Sequence, residues 1–217
     1  METIKQLLDF VLHLQEHLHA FTRDHGPWVY AILFAIIFAE TGLVVLPFLP
    51  GDSLLFAIGA VAANPASGLN VWVALAIIPA AALLGDTVNY AVGHFAGARL
   101  SARYPRLIKT SYLVKTREFF DRYGGKTIVM ARFVPIVRTF TPFVAGSGGM
   151  NYRRFIAYSI GGACLWAGLL VPAGWFFGGL PWVKKHFELV VIGIIFISIV
   201  PMLVEVIREW MKSRKAK

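Results

Sequence analysis

The chain has 217 residues, of which 57% are hydrophobic and 15% are charged, and its formal net charge is +9. This composition excludes an ordinary water-soluble domain and fits one compact membrane domain. The basic residues stand beside apolar segments, which favours contact with anionic lipid headgroups over binding to nucleic acid. The single cysteine, Cys164, excludes an intrachain disulfide and a cysteine-based zinc cluster.

Residues 1–27 predict an amphipathic helix that lies in the membrane interface. Apolar side chains recur there at helical spacing, and charged residues and histidines occupy the other face. We interpret His13 and His17 as part of a solvated polar face and not as metal ligands. No cleavable signal peptide is expected, because no uninterrupted apolar core precedes a small-residue cleavage site.

Residues 28–46 form an apolar run with one charge, Glu40, and predict a first membrane span. The following residues, 47–62, are too short and too broken by prolines to cross the bilayer alone, so they predict a re-entrant hairpin. Asp52 is a candidate cap for a half-helix that begins at Ser53 and a candidate for proton coupling, and the two roles are compatible.

Residues 71–98 predict a second span in which Asp86, Asn89 and Tyr90 share one helix face. Asp86 either lines a cavity or bonds a neighbouring helix. Residues 99–126 carry eight basic residues against two acidic ones, which predicts a cytoplasmic loop on the membrane surface.

Residues 131–149 are apolar, yet they contain two arginines, Arg132 and Arg138, and two prolines, Pro135 and Pro142. An arginine near the membrane centre costs about 2.5–3.5 kcal/mol on the gentler insertion scale, and proline disrupts a helix. Broken backbone at membrane depth occurs only where protein or a water-filled cavity surrounds it. The segment therefore predicts a second re-entrant hairpin, with its arginines facing a cavity.

Residues 155–178 and 189–207 predict a third and a fourth span, and the basic tail, 208–217, is expected in the cytoplasm. Counting back from the tail places the N-terminus in the cytoplasm as well. The two hairpins then enter from opposite sides. The sequence thus predicts an all-α polytopic membrane domain over residues 28–207, with four spans and two opposed hairpins in an inverted repeat, as in many secondary transporters.

Five ionisable residues fall within these apolar segments, and they are the candidate working groups. The planar fork of arginine suits the oxygens of phosphate, and buried carboxylates are common proton carriers in transporters. We expect Arg132 and Arg138 to bind an anion, and Glu40 and Asp52 to couple protons or gate the cavity. A purely structural salt-bridge network is the alternative. Further candidates for lining the cavity are Asp86, Asn89, Tyr90, Pro50, Gly51, Pro135, Thr139 and Pro142.

No enzyme is expected, because no nucleophile and base are plausibly placed together, and neither a cofactor nor a metal site is predicted. The glycines at 146–149 lack the strand–helix setting and the lysine of a nucleotide-binding loop.

Three motifs together resemble the DedA family, and the resemblance covers nearly the whole chain. The motifs are Phe48-Leu49-Pro50-Gly51-Asp52-Ser53, Gly85-Asp86-x-x-Asn89-Tyr90-x-x-Gly93 and Arg132-Phe133-x-Pro135-x-x-Arg138-Thr139-Phe140-x-Pro142-x-x-Ala145-Gly146. The resemblance implies an inner-membrane protein with a VTT domain, in a superfamily that includes eukaryotic lipid scramblases. It implies translocation of a lipid carrier, notably undecaprenyl phosphate, and links to the proton motive force, envelope integrity and cell division. The family's two functional acids and two arginines match Glu40, Asp52, Arg132 and Arg138.

We therefore expect a lipid transporter of the bacterial inner membrane, with both termini cytoplasmic and with lipids and protons as its partners. The sequence leaves open whether the protein forms a homo-oligomer. The alternatives are a proton or cation antiporter, and a scaffold that recruits envelope or division proteins through residues 99–126.

Overall fold

The computed structural model describes residues 26–42, 51–103, 124–186, 189–190 and 192–194. Within these ranges every regular element is helical and no strand occurs, which confirms the predicted all-α class. The helices are α1 (Trp28–Gly42), α2 (Gly51–Ala62), a 3-10 turn (Pro65–Ser67), α3 (Val71–Arg103), α4 (Lys126–Ala131), α5 (Pro135–Ser147), α6 (Tyr152–Phe177) and α7 (Pro181–Lys185).

Two of the described helices are long and apolar enough to cross a membrane. The spanning parts are Val71–Phe95 in α3 and Tyr152–Phe177 in α6, with 25 and 26 residues. At about 1.5 Å per residue they exceed the ~30 Å of a bilayer's hydrocarbon core. They correspond to the predicted second and third spans. Helix α3 continues to Arg103, so the first residues of the predicted basic loop extend this helix.

Helices α1 and α2 are apolar but short, with 15 and 12 residues. Each falls short of the ~20 residues that a helical crossing needs. The last part of the predicted first span, residues 43–46, lies outside the described residues. Helix α2 begins at Gly51, two residues earlier than expected, so Asp52 lies in its first turn and not at the cap position. A carboxylate there interacts favourably with the positive end of the helix dipole.

Several sequence predictions fall outside the described residues. They are the amphipathic helix at residues 1–25, most of the basic loop (104–123) and the tail. Of the predicted fourth span, residues 189–190 and 192–194 are described, and they are helical.

The chain divides into two compact units. The central unit comprises Trp28–Leu49 and Trp72–Leu169, and the terminal unit comprises Met1–Pro27, Pro50–Val71 and Leu170–Lys217. The single domain predicted at residues 28–207 therefore includes parts of both.

In the terminal unit, α2 packs tightly on the last part of α6 through glycines. A Cβ atom on Gly59 would overlap the carbonyl oxygen of Val171, and one on Gly174 would overlap the carbonyl oxygen of Phe56. Gly178 similarly faces Ala60. Such close approach of helix backbones through small residues is a common way for helices to associate in lipid.

In the central unit, α5 packs on α3 in the same manner. A Cβ atom on Gly146 would overlap the carbonyl oxygen of Tyr90, and one on Gly93 would overlap the carbonyl oxygen of Phe143. Helix α1 also crosses α3 closely, because Gly85 leaves no side chain against Thr41.

The glycine contacts of the two units have matching spacing. Gly146 follows Gly59 by the same interval as Phe143 follows Phe56. The positions that they contact on the long helices match as well. Gly174 follows Gly93 by the same interval as Val171 follows Tyr90. One packing pattern thus occurs twice, once between α2 and α6 and once between α5 and α3.

Candidate functional site

A break between α4 and α5 places two arginines on separate helices. Arg132 forms the C-terminal cap of α4, and Val134 adopts an extended backbone with φ −120° and ψ 105° before Pro135 begins α5. The proline favours this geometry, because its ring disfavours a helical conformation for the preceding residue. The expected break therefore occurs at Pro135, and Arg138 falls in the first turn of α5.

The second proline does not interrupt the helix. Pro142 lies inside α5, which continues to Ser147. Proline has no N–H group, so the carbonyl of Arg138 lacks its usual helical donor. A proline within a membrane helix is tolerated where neighbouring groups compensate.

Arg132 forms a buried ion pair with Asp86 of α3. Arg132 Nη2 donates to Asp86 Oδ2 and also to Ser159 Oγ at 3.1 Å, and Ser159 Oγ in turn donates to the same carboxylate oxygen. Gly162 makes room for the guanidinium, because a Cβ atom there would lie 3.3 Å from Arg132 Nε. Asp86 thus bonds a neighbouring helix, which was one of the two roles expected for it.

Arg138 forms a second buried ion pair, with Glu40 of α1. Arg138 Nη2 donates to Glu40 Oε1, and the two residues are 5% and 1% exposed. Breaking such a pair by removing one partner costs about 3–5 kcal/mol, because the remaining charge stays buried. Each arginine is therefore held by its own carboxylate.

Trp166 of α6 contacts both guanidinium groups. Its ring centroid lies 4.7 Å from Arg138 Cζ and 6.0 Å from Arg132 Cζ, and the side chain is 1% exposed. A cation over an aromatic face is stabilised by about 2 kcal/mol or more when both are desolvated.

Asn89 joins three helices beside these ion pairs. Its amide nitrogen, on α3, donates to the carbonyl of Thr139 in α5 at 2.7 Å and to the carbonyl of Thr41 in α1 at 3.2 Å. Both carbonyls belong to buried residues, where an unmatched polar group is costly. Asn89 therefore fixes α1 and α5 against α3.

A cavity of about 10 Å³ lies beside the arginines, close to the size that holds one water molecule. Arg132 also has a buried nitrogen, Nη1, that finds no hydrogen-bond partner in the described parts of the chain. The amide oxygen of Asn89 is likewise buried without a described partner. The residues that line the cavity are Asp86, Ile128, Arg132, Arg138, Thr141 and Pro142.

Contacts within the central unit join six of the residues predicted for the site. Glu40, Asp86, Asn89, Arg132, Arg138 and Thr139 form one connected group in the central unit, and Pro142 lines its cavity.

Tyr90 donates a hydrogen bond to the carbonyl of Met150 and stacks on Phe155. Gly51 and Asp52 begin α2 in the terminal unit, and Pro50 lies outside the described residues.

Sequence reasoning missed Trp166 and Ser159, because both lie in what reads as a plain apolar span. A signal was present nonetheless. Ser159, Gly162 and Trp166 follow one another at helical spacing on a single face, and tryptophan in membrane helices is otherwise enriched at the two interfaces.

Within the described ranges, no group of three or more histidine, cysteine, aspartate or glutamate residues is arranged to hold a metal ion. The described side chains of the site offer guanidinium groups and carboxylates. Its two arginines and two acids have cancelling formal charges, so an entering anion must compete with a carboxylate for a guanidinium edge.

Comparison with known proteins assigns the family. The VTT domain model matches residues 49–176. This range contains all the site residues named above except Glu40 and Thr41. The chain is 50% identical to Protein DedA of Escherichia coli strain K12 over 217 residues, covering 100% of this chain and 99% of that protein. It is 33% identical to the Inner membrane protein YghB of the same organism over 175 residues, covering 80% and 78% of the two chains.

A further relative is an uncharacterized membrane protein of Mycobacterium tuberculosis, 38% identical over 185 residues, with 85% and 81% of the two chains covered. No solved structure matches the chain. The domain match, the full-length similarity and the two long apolar helices agree, and the chain is a membrane protein of the DedA family.

Proposed function

We propose that the protein moves an anionic lipid, with undecaprenyl phosphate as the first candidate, between the leaflets of the bacterial inner membrane. Arg132 and Arg138 bind the phosphate group, and the prenyl tail stays in the lipid. The protein acts without covalent chemistry, and transport is linked to the proton motive force.

The observation that carries this proposal is the sharing of one cavity by two buried arginines. Arg132 is 3% exposed and Arg138 5% exposed, and both line the cavity. Arg132 Nη1 adds a buried donor without a partner among the described residues. A network that served stability alone would be most stable with every buried donor hydrogen-bonded within the protein. An anion-binding site, in contrast, needs a donor that can bond the anion.

In this proposal the phosphate replaces a carboxylate at an arginine. The cavity of about 10 Å³ has room for about one water molecule, so we expect at least one ion pair to open when a phosphate group enters. The released carboxylate stays buried, and its charged form then has a high desolvation cost. Proton uptake by Glu40, one of the two acids expected to couple protons, keeps the cluster neutral at that moment, and this exchange couples protons to the lipid.

The same proposal includes the topology. The protein crosses the membrane several times with both termini in the cytoplasm, and the hairpins around residues 47–62 and 131–149 enter from opposite sides as an inverted repeat. The packing pattern that occurs once around Gly59 and once around Gly146 supports this arrangement. Inverted repeats with broken helices commonly form substrate sites in transporters.

The test uses the purified protein in phosphatidylcholine vesicles that contain fluorescent undecaprenyl phosphate, with leaflet exposure followed with and without a pH gradient. Arg138→Lys should lower the rate at least about tenfold, because an ammonium group cannot replace the planar fork. Arg153→Lys is the matched control, because Arg153 is exposed at the start of α6, and it should leave the rate unchanged.

Glu40→Gln tests the proton link. This variant should move lipid at a rate that no longer responds to the gradient, since its amide cannot take up a proton. Wild-type protein that ignores the gradient would contradict the coupling but not the lipid movement. Folded protein that moves no lipid would overturn the proposal, and proton flux in lipid-phosphate-free vesicles would then indicate an antiporter. Without such flux, loss of function on neutralising the basic loop 99–126 would indicate a scaffold.

A further inference from the structure

The two arginines share a neighbour that belongs to neither ion pair. Trp166 lies in the middle of α6, is 1% exposed, and places its ring 4.7 Å from Arg138 Cζ and 6.0 Å from Arg132 Cζ. One aromatic ring is therefore within cation–π range of both cations of the candidate site.

The contact with the ring and the contacts with carboxylates use different parts of a guanidinium group. Carboxylates and phosphates accept hydrogen bonds from the N–H groups in the plane of the fork, whereas an aromatic ring attracts the cation electrostatically through its face. Arg138 donates to Glu40 through Nη2. A phosphate that takes the place of Glu40 displaces this bond, but it need not displace the contact with Trp166.

Opening an ion pair also changes the balance of charge in the cluster. The two arginines have like charges, and each is otherwise restrained by a carboxylate, Glu40 or Asp86. When one carboxylate is released, the repulsion between the two like charges acts to separate the guanidinium groups. The negative face of the indole ring opposes this separation, and tryptophan provides the strongest cation–π attraction of the aromatic side chains.

We infer that Trp166 is a positioning residue that holds the Arg132 and Arg138 guanidinium groups together at the phosphate site while their carboxylates are exchanged for the ligand. This inference rests on the proposed function and extends it to a residue of α6. It assigns the ring an electrostatic role, in addition to filling space where the helices pack.

Fluorination of the ring separates these two roles, because each fluorine weakens the cation–π attraction and changes the shape little. Tryptophan with one, two and three ring fluorines is introduced at position 166 of the full-length protein by nonsense suppression. The same series at Trp182, which is 63% exposed, is the control. Affinity is measured with phosphatidylcholine vesicles that contain undecaprenyl phosphate, alongside the melting temperature.

We expect the affinity to fall stepwise along the series at position 166, by about tenfold or more overall, at constant melting temperature. The series at Trp182 should be flat. Trp166→Phe should retain part of the affinity, and Trp166→Leu should retain less, although both fill space with apolar atoms.

A flat series at position 166 in protein that binds and moves the lipid would overturn the role of Trp166 and leave the proposed function intact. Equal affinities of the wild type, Trp166→Phe and Trp166→Leu would do the same. Wild-type protein that neither binds nor moves undecaprenyl phosphate would overturn the proposed function, and this inference with it.

Discussion

Each buried arginine of the central unit has a carboxylate on another helix, and the two pairs differ in their surroundings. Asp86 receives hydrogen bonds from Arg132 and from Ser159, so its pair is held by a third residue. In the pair of Arg138 and Glu40, the guanidinium group lies closer to the ring of Trp166, with Arg138 Cζ 4.7 Å from the ring centroid against 6.0 Å for Arg132 Cζ. A buried ion pair contributes little net stability, since replacement of both partners by apolar residues is often neutral, whereas removal of one partner is costly.

This property gives a prediction at the scale of single residues. Asp86→Ala should destabilise the protein by about 3–5 kcal/mol, because Arg132 is left buried without its counter-charge. The double variant Asp86→Leu, Arg132→Met should recover most of that stability, since no charge is left uncompensated. Thermal unfolding in detergent measures both effects.

Lipid movement should not recover in the double variant, because a guanidinium of the phosphate site is gone. A stable double variant that moves lipid at the wild-type rate would show that the pair of Asp86 and Arg132 is structural. That outcome would favour the salt-bridge alternative for this pair.

At the scale of helices, glycines decide how closely the elements approach. Gly59 and Gly174 let α2 lie against α6, and Gly93 and Gly146 let α5 lie against α3. Other glycines of α6 face open space, since a Cβ atom on Gly161 or Gly168 would meet no atom within 4 Å. Glycines on one helix therefore have opposite roles.

The two kinds of glycine should respond oppositely to alanine. Gly174→Ala should destabilise the protein by about 1–3 kcal/mol, because the methyl group forces α2 and α6 apart. Gly168→Ala, on the same helix, should stabilise it by about 0.5–1 kcal/mol through the higher helix propensity of alanine. Melting temperatures in detergent compare the two, and changes of the same sign would contradict the contacts described for Gly174.

The helices that carry the site were largely predictable from the sequence, whereas their ends and partners were not. The apolar runs predicted α3 and α6, and Pro135 predicted the break that separates Arg132 from Arg138. The uninterrupted path of α5 through Pro142 was not foreseen, because local propensity disfavours it and only packing decides. The hydrogen bonds from the side-chain amide of Asn89 to two other helices could not be predicted either, since they join residues far apart in the chain.

For the whole molecule, the proposed topology can be tested at the two ends of α6. Single cysteines are introduced at exposed positions, Arg153→Cys before the span and Trp182→Cys after it, in a Cys164→Ser background. Trp182→Cys should react with a membrane-impermeant maleimide in spheroplasts, and Arg153→Cys only after permeabilisation. The physical reason is the bias of basic residues toward the cytoplasmic side.

The reverse labelling pattern would contradict the proposed orientation. Equal labelling of both positions in sealed spheroplasts would contradict the crossing of the membrane by α6. Cys164 alone serves as a further control, because it lies within the span and should resist the impermeant reagent even though its side chain is exposed on the helix surface.

The sequence by itself determined the membrane class, the long helices and the five ionisable residues that stand out in apolar surroundings. Composition, hydrophobic run length and the cost of charge in lipid are local properties, so they can be read residue by residue. Only the tertiary structure decided which acid pairs with which arginine, that Ser159 and Trp166 join them, and that the chain repeats one glycine packing in two units. These features depend on contacts between distant segments, and the spacing of residues along one helix does not encode which helix will pack against it.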